Sequence, residues 1–138
     1  MQRILALDVG DKRIGVAVSD LLGVTAQPVE TYHRVGSQKK DVAYIIELTK
    51  RYAPCKLLFG LPRNMDGSYG EQAEKVRHFA QLVVSEFDGE HDFYDERLTT
   101  MAARRVLLDA DVSRSKQKKV IDKLAAVVIL QGYMDSNR

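Results

Sequence analysis

The chain has 138 residues, 45% of them hydrophobic and 29% charged, with a net charge of +2. That length suits one self-supporting domain over residues 1–138, and the hydrophobic content excludes a disordered chain. The lone Cys55 excludes an intramolecular disulfide, and the longest apolar run, residues 124–130, is far short of the roughly 20 residues of a membrane span, so a cytoplasmic protein without membrane association is expected.

Residues 3–9 and 13–19 are β-rich runs joined by the turn Gly10-Asp11-Lys12, which predicts a hairpin. Side chains alternate along a strand, so Leu5, Leu7 and Val9 share one face while Ile4, Ala6 and Asp8 share the other. In the second strand the small residues Gly15, Ala17 and Ser19 share a face. Laid beside Asp8, that face would leave room next to a carboxylate. Residues 24–34 predict a third strand, placed near an edge by Pro28, which cannot donate to a ladder.

The period then changes. Val42, Ile45, Ile46 and Thr49 follow helical spacing up to Tyr52, and Pro54 blocks continuation. Residues 56–60 predict a strand running into Gly60-Leu61-Pro62 and a polar loop over 63–68. A second amphipathic helix is expected over 71–87, with Ala73, Val76, Phe79, Ala80, Val83 and Val84 on its apolar side. Phe93-Tyr94 leads a last strand into Asp95-Glu96-Arg97, after which Thr99 or Thr100 can cap a helix through Leu108. Residues 109–117 are polar and unpatterned. The final helix is expected over 118–134, with Ile121, Leu124, Ala125 and Val128 recurring at helical spacing. This order predicts an α/β fold: a mixed five-stranded sheet, three antiparallel strands then two parallel ones, with helices on both faces, as in ribonuclease-H-like domains.

Two-metal phosphodiester hydrolysis needs carboxylates delivered from separate elements to one point, and oxygen ligands suit Mg²⁺ or Mn²⁺. Asp8 ends an apolar strand, where a carboxylate needs a cation or several donors; the competing role is a turn-making Asp. Asp95 and Glu96 end the last strand, and because neighbours face opposite ways one of them suits a shared site: Glu96 is the choice and Asp95 the reserve. Asp122 lies in the final helix near Ala125 and Ala126, small residues that allow close packing on a sheet; an exposed Asp paired with a lysine is the alternative. His33, His78 and His91 show no zinc-motif spacing.

Over essentially its whole length the chain resembles the YqgF (RuvX) family of Holliday-junction-resolvase-like proteins and pre-16S rRNA nucleases. The resemblance is carried by Leu7-Asp8-Val9-Gly10 with Lys12-Arg13-Ile14-Gly15-Val16-Ala17, by Gly60-Leu61-Pro62 with Asn64-Met65-Asp66-Gly67, by Asp95-Glu96-Arg97-Leu98-Thr99-Thr100, and by Asp122-Lys123-Leu124-Ala125-Ala126. It implies a ribonuclease-H-like nuclease that hydrolyses phosphodiesters with Asp8, Glu96 and Asp122 as its acids, acting in maturation of the 5′ end of pre-16S rRNA. Resolution of branched DNA junctions and a non-catalytic role in ribosome assembly are the alternatives, and the chain would act as a monomer or homodimer.

Chemistry assigns supporting roles. Lys12 and Arg13 in the hairpin turn, Arg63 and Asn64 after Gly-Leu-Pro, and Arg97 beside the acid pair suit phosphate oxygens. Residues 113–119, with Arg114, Lys116, Lys118 and Lys119, could clamp a nucleic-acid backbone and order on binding. The Asp-x-Gly hairpin followed by Lys12 also resembles the phosphate turn of actin-like and sugar-kinase ATPases. Those enzymes close two such domains around ATP, and one copy is present.

Overall fold

The computed structural model describes residues 2–62, 66, 68–95 and 114–137, with the backbone alone for residues 114–123. In chain order the elements are β1 (Arg3–Val9), β2 (Arg13–Ser19), β3 (Ala26–His33), α1 (Gln38–Arg51), β4 (Cys55–Leu61), α2 (Glu71–Val84), β5 (His91–Asp95) and α3 (Arg114–Ser136). They form one five-stranded sheet in the order β3-β2-β1-β4-β5. β1 pairs antiparallel with β2 and β2 with β3, while β4 runs parallel to both β1 and β5. The expected mixed sheet is present.

β1 takes the centre because it is apolar on both faces: Leu5, Ala6 and Leu7 are all fully buried, the pattern of a strand covered on two sides. Pro28 lies on the edge strand β3 at a register shift, where Val16 faces Glu30 but Ala17 faces Pro28. The skipped residue is a bulge that relieves proline of a ladder bond it cannot make.

Each face of the sheet has its own core. Leu5, Leu7, Ile14, Val16, Leu57 and Phe59 pack against α1 and α2 through residues such as Ile45, Leu48, Val76 and Phe79. Ala6, Ala17 and Leu58 pack against α3 through Ala126, Ile129, Leu130 and Tyr133. The small residues on the second face let the α3 backbone come close. At its carboxyl end α3 is pinned by polar bonds: Gln131 accepts from Ala26 N at 3.0 Å and donates to Val24 O at 3.1 Å, and the Tyr133 hydroxyl receives Lys56 Nζ at 2.7 Å and donates to Asp92 at 2.9 Å. Among the described residues no helix is long and apolar enough to cross a membrane.

Several boundaries differ from expectation. α1 begins at Gln38 because Ser37 caps it, its Oγ accepting from Lys40 N at 3.3 Å; the polar first turn carries no hydrophobic period to reveal it. α2 stops at Val84. β3 starts at Ala26, since Asp20 ties the preceding residues into a turn by accepting from Val24 N and Thr25 N. α3 begins at Arg114, so residues 114–117 belong to the helix and not to the polar tract expected over 109–117; Lys, Arg and Gln are good helix formers. Ala125 is buried as expected, and the buried stripe continues through Ala126, Ile129, Leu130, Tyr133 and Met134, while Leu124 and Val128 are half-buried, a partial rotation from the expected face. The helix expected from Thr99 or Thr100 to Leu108 lies outside the described residues.

Candidate active site at the carboxyl end of the central strand

Parallel strands β1, β4 and β5 bring their carboxyl ends to one end of the sheet, the usual place for a site in a parallel α/β sheet. Asp8 stands there, half-buried, at the end of β1. Its neighbour in the alternation, Ala6, belongs to the α3-side core, which puts Asp8 on the α3 face. Across the ladder Asp8 is opposite Gly15 and Ala6 opposite Ala17. Gly15, which carries no side chain, is thus the cross-strand partner of Asp8, the pairing that alternation in the two strands predicts.

Arg13 lies two residues before Gly15 and so shares the α3 face. Diagonal neighbours in an antiparallel pair are roughly 7–8 Å apart, within reach of a long side chain. Lys12 diverges from it. It is exposed at the tip of the turn and lines a cleft on the opposite, α1/α2 side.

The direction of α3 decides where Asp122 sits. Its carboxyl end touches the start of β4 and β5 through Tyr133, so its amino end points toward the carboxyl ends of the strands. Ala126 packs in one cluster with Ala6. From Ala126 back to Asp122 is one turn, roughly 6 Å of helix rise, and from Ala6 to Asp8 is two strand residues, roughly 6.6 Å. The backbone of Asp122 therefore comes level with Asp8, on the helix that covers its face. Arg114, Lys116, Lys118 and Lys119 follow the same helix outward from that level, beyond the end of the sheet.

The structure separates Asp95 from this group. Asp95 is opposite Leu61, and both continue the face of Phe59 and Phe93, which pack in the α1/α2 core. The reserve acid thus stands on the far side of the sheet from Asp8. Glu96, Arg63, Asn64 and Arg97 lie outside the described residues. Among the described residues no group of three or more His, Cys, Asp or Glu could hold a metal ion. What Asp8 offers is a carboxylate, a hard oxygen donor group that fits a divalent ion of the Mg²⁺ type.

A polar cluster that the hydrophobic period does not reveal lies behind the hairpin turn. Asp41, only 1% exposed, accepts from Arg34 Nε at 2.9 Å, Tyr32 Oη at 2.9 Å and Val35 N at 3.4 Å. Burial alone would push its carboxyl up, but these three donors outweigh burial and hold it below the ordinary value. In sequence, an acid in the first turn after the Ser37 cap was the available signal. In front of this cluster opens a cleft of about 920 Å³, bordered by Lys12, His33, Arg34, Glu71, Lys75 and His78. Lys75 meets Asp11 there at 3.4 Å, an exposed pair of small energetic weight.

A family model described as RuvX, Holliday junction resolvase, matches residues 2–136. A protein of Clostridioides difficile (strain 630) named "Putative pre-16S rRNA nuclease" is 58% identical over 133 residues, 96% of this chain and 94% of its own length. One of the same name from Heliobacterium modesticaldum is 53% identical over 97% of this chain and 89% of its own length. Among solved structures, Thermus thermophilus RuvC in complex with a Holliday junction superposes with a TM-score of 0.62 at 12% identity, covering 99% of this chain and 96% of that one. The large terminase nuclease of phage G20c gives 0.59 at 8% identity, covering 96% and 81%. At such low identity these two likenesses speak for the fold, which is ribonuclease-H-like.

Proposed function

The chain belongs to the RuvX family, and on that premise we propose that it is a divalent-metal-dependent nuclease hydrolysing phosphodiester bonds, its substrate the 5′ region of precursor 16S rRNA in the cytoplasm. Relatives at 53–58% identity over most of both chains are named as pre-16S rRNA nucleases, which supports the substrate class. The observation that carries the reading is the position of Asp8, half-buried at the end of the central strand opposite a glycine, with the backbone of Asp122 level with it on the covering helix.

In this proposal Asp8, Glu96 and Asp122 hold Mg²⁺ or Mn²⁺. Asp95, on the other face, is left out. Divalent ions held by the three acids would supply activation of the attacking water and charge neutralisation at the leaving oxygen. The chain's own residues do the rest. Arg13, on the Asp8 face, orients a non-bridging phosphate oxygen. Arg114, Lys116, Lys118 and Lys119 neutralise flanking phosphates from the amino end of α3, with Lys12, Arg63, Asn64 and Arg97 on the surrounding loops. Cations at a helix amino end oppose its macrodipole, so helix stability does not account for this basic cluster.

A second reading, cleavage of branched DNA, is favoured by the family's description and by the RuvC likeness; symmetric cutting would call for a homodimer. The test is cleavage of precursor rRNA, single-stranded RNA and four-way DNA by the purified protein with Mg²⁺ or Mn²⁺. Asp8→Asn should lower the rate at least about a hundredfold, the equivalent of about 2.7 kcal/mol of lost transition-state stabilisation, without moving the melting temperature by more than a few degrees. Preference for the junction selects the second reading. Binding without cleavage in the wild type, or full activity in Asp8→Asn, refutes the catalytic proposal.

A further inference from the structure

Arg34 makes a set of contacts that the nuclease proposal leaves unused. Its Nη1 donates to the Gly10 carbonyl at 3.0 Å, and its backbone N–H donates to the Lys12 carbonyl at 2.9 Å. Gly10 N in turn donates to the Arg13 carbonyl at 2.8 Å. Arg34 therefore grips both ends of the short turn that joins the strand of Asp8 to the strand of Arg13. The guanidinium is itself immobilised, bonded to buried Asp41 and lying 4.9 Å from the centre of the Phe79 ring. The turn is also tight at Gly10, where an added Cβ would stand 3.0 Å from the Arg13 carbonyl oxygen.

We infer that Arg34 is a positioning residue for nucleic-acid binding: by fixing the Gly10–Lys12 turn it holds the start of β2 so that Arg13, on the Asp8 face, meets the sugar-phosphate backbone. The inference rests on the nuclease reading above for the identity of the ligand. Two observations separate this role from simple stabilisation. Apolar residues would fill the same space at least as favourably as a buried ion pair, but could not donate to the Gly10 carbonyl. Arg34 is also poorly placed to bind phosphate directly, since its side chain is 15% exposed and its charge is matched by Asp41.

The sign of one substitution makes the test decisive. Asp41→Asn raises the net charge by one, and charge alone would tighten RNA binding. A loosened turn weakens it instead. Binding of a fluorescein-labelled single-stranded RNA is followed by anisotropy in EDTA across a salt series, with folding checked by circular dichroism and thermal melting. Asp41→Asn should bind roughly three- to tenfold more weakly, with the slope of log K against log salt smaller by about 0.7, one phosphate contact. Arg34→Lys keeps the charge but has no planar fork to reach Asp41 and Gly10 together, and should show the same loss. Lys39→Gln, on the exposed surface of α1, measures the effect of a plain charge change.

Wild-type affinity and slope in folded Asp41→Asn or in Arg34→Lys overturn the inference, and Arg34→Lys decides alone if Asp41→Asn does not fold. The nuclease reading is judged separately. A wild-type protein that binds this RNA yet does not cleave it refutes catalysis while leaving the binding comparison valid, and one that does not bind RNA overturns the inference together with its premise.

Discussion

Truncating Asp41 to alanine strands Arg34 inside the protein without its carboxylate. Three donors lose their acceptor at once: Arg34 Nε and Tyr32 Oη, each at 2.9 Å, and Val35 N at 3.4 Å. Removing one partner of a buried pair costs about 3–5 kcal/mol. The lower end applies here, because Arg34 is 15% exposed and keeps the Gly10 carbonyl and the Phe79 ring. About 3 kcal/mol is expected, a sizeable part of the ~5–15 kcal/mol typical of a folded domain. With a urea slope of about 2 kcal/mol/M, the unfolding midpoint at pH 7 should fall by about 1.5 M.

The dependence on pH gives a second, independent readout of the same pair. The folded carboxyl of Asp41 ionises below its ordinary range, since the bonds from Arg34, Tyr32 and Val35 overcome the effect of burial. A depressed folded pKa contributes stability that is present above the unfolded value and lost as pH falls through the folded one. The gap between wild type and Asp41→Ala should therefore be full at neutral pH and narrow below about pH 4. A loss under about 1 kcal/mol at pH 7, where ~3 is expected, or a gap that stays constant into acid, refutes the account of this pair as a buried, charge-assisted clamp.

Three further outcomes follow from packing. Ala126 is fully buried against Ala6, Ala17 and Leu58, so Ala126→Leu should overpack this contact by about 1–3 kcal/mol; because it lifts the helix carrying Asp122, cleavage should fall more than melting does, and an unchanged rate would contradict the proposed convergence. A Cβ on Gly132 would stand 2.8 Å from the Tyr94 hydroxyl, so Gly132→Ala should destabilise by about 1 kcal/mol in the wild type and become neutral or stabilising with Tyr94→Phe, where the helix-propensity gain is freed; additive denaturation energies would refute the clash. Cys55 is buried, and burial pushes its thiol pKa up, so an aromatic disulfide reagent should modify the native protein at least about a hundredfold more slowly than the urea-unfolded chain; comparable rates would mean the thiol is open to solvent.

Much of this molecule is readable locally. Period-two alternation in residues 3–9 and 13–19 is a property of the strand backbone, so it placed Asp8 with Ala6, and Gly15 with Ala17, before any partner strand was known. Pro28 marked an edge because a missing N–H is a covalent fact. The same alternation required Asp95 and Glu96 to be told apart, and the register of β5 against β4 put Asp95 on the side away from Asp8.

Other features depend on which elements meet. The buried stripe of α3 turned from Leu124 and Val128 to Ala126, Ile129 and Tyr133 because the sheet face beneath it is built of Ala6, Ala17 and Leu58 and accepts small residues at its centre. Nothing in the hydrophobic period marks Asp41, because periodicity is blind to a polar group whose burial is compensated by donors from β3 and the segment after it. By itself, then, the amino-acid order determined the strands and their two-sided character, since each follows from backbone geometry and local composition, whereas Asp8, Glu96 and Asp122 were proposed as the acids from the family resemblance. Only tertiary packing decided which helix face meets the sheet, that Asp122 stands level with Asp8, and that Arg34 clamps the turn between Asp8 and Arg13, because these are relations between elements brought together from distant parts of the chain.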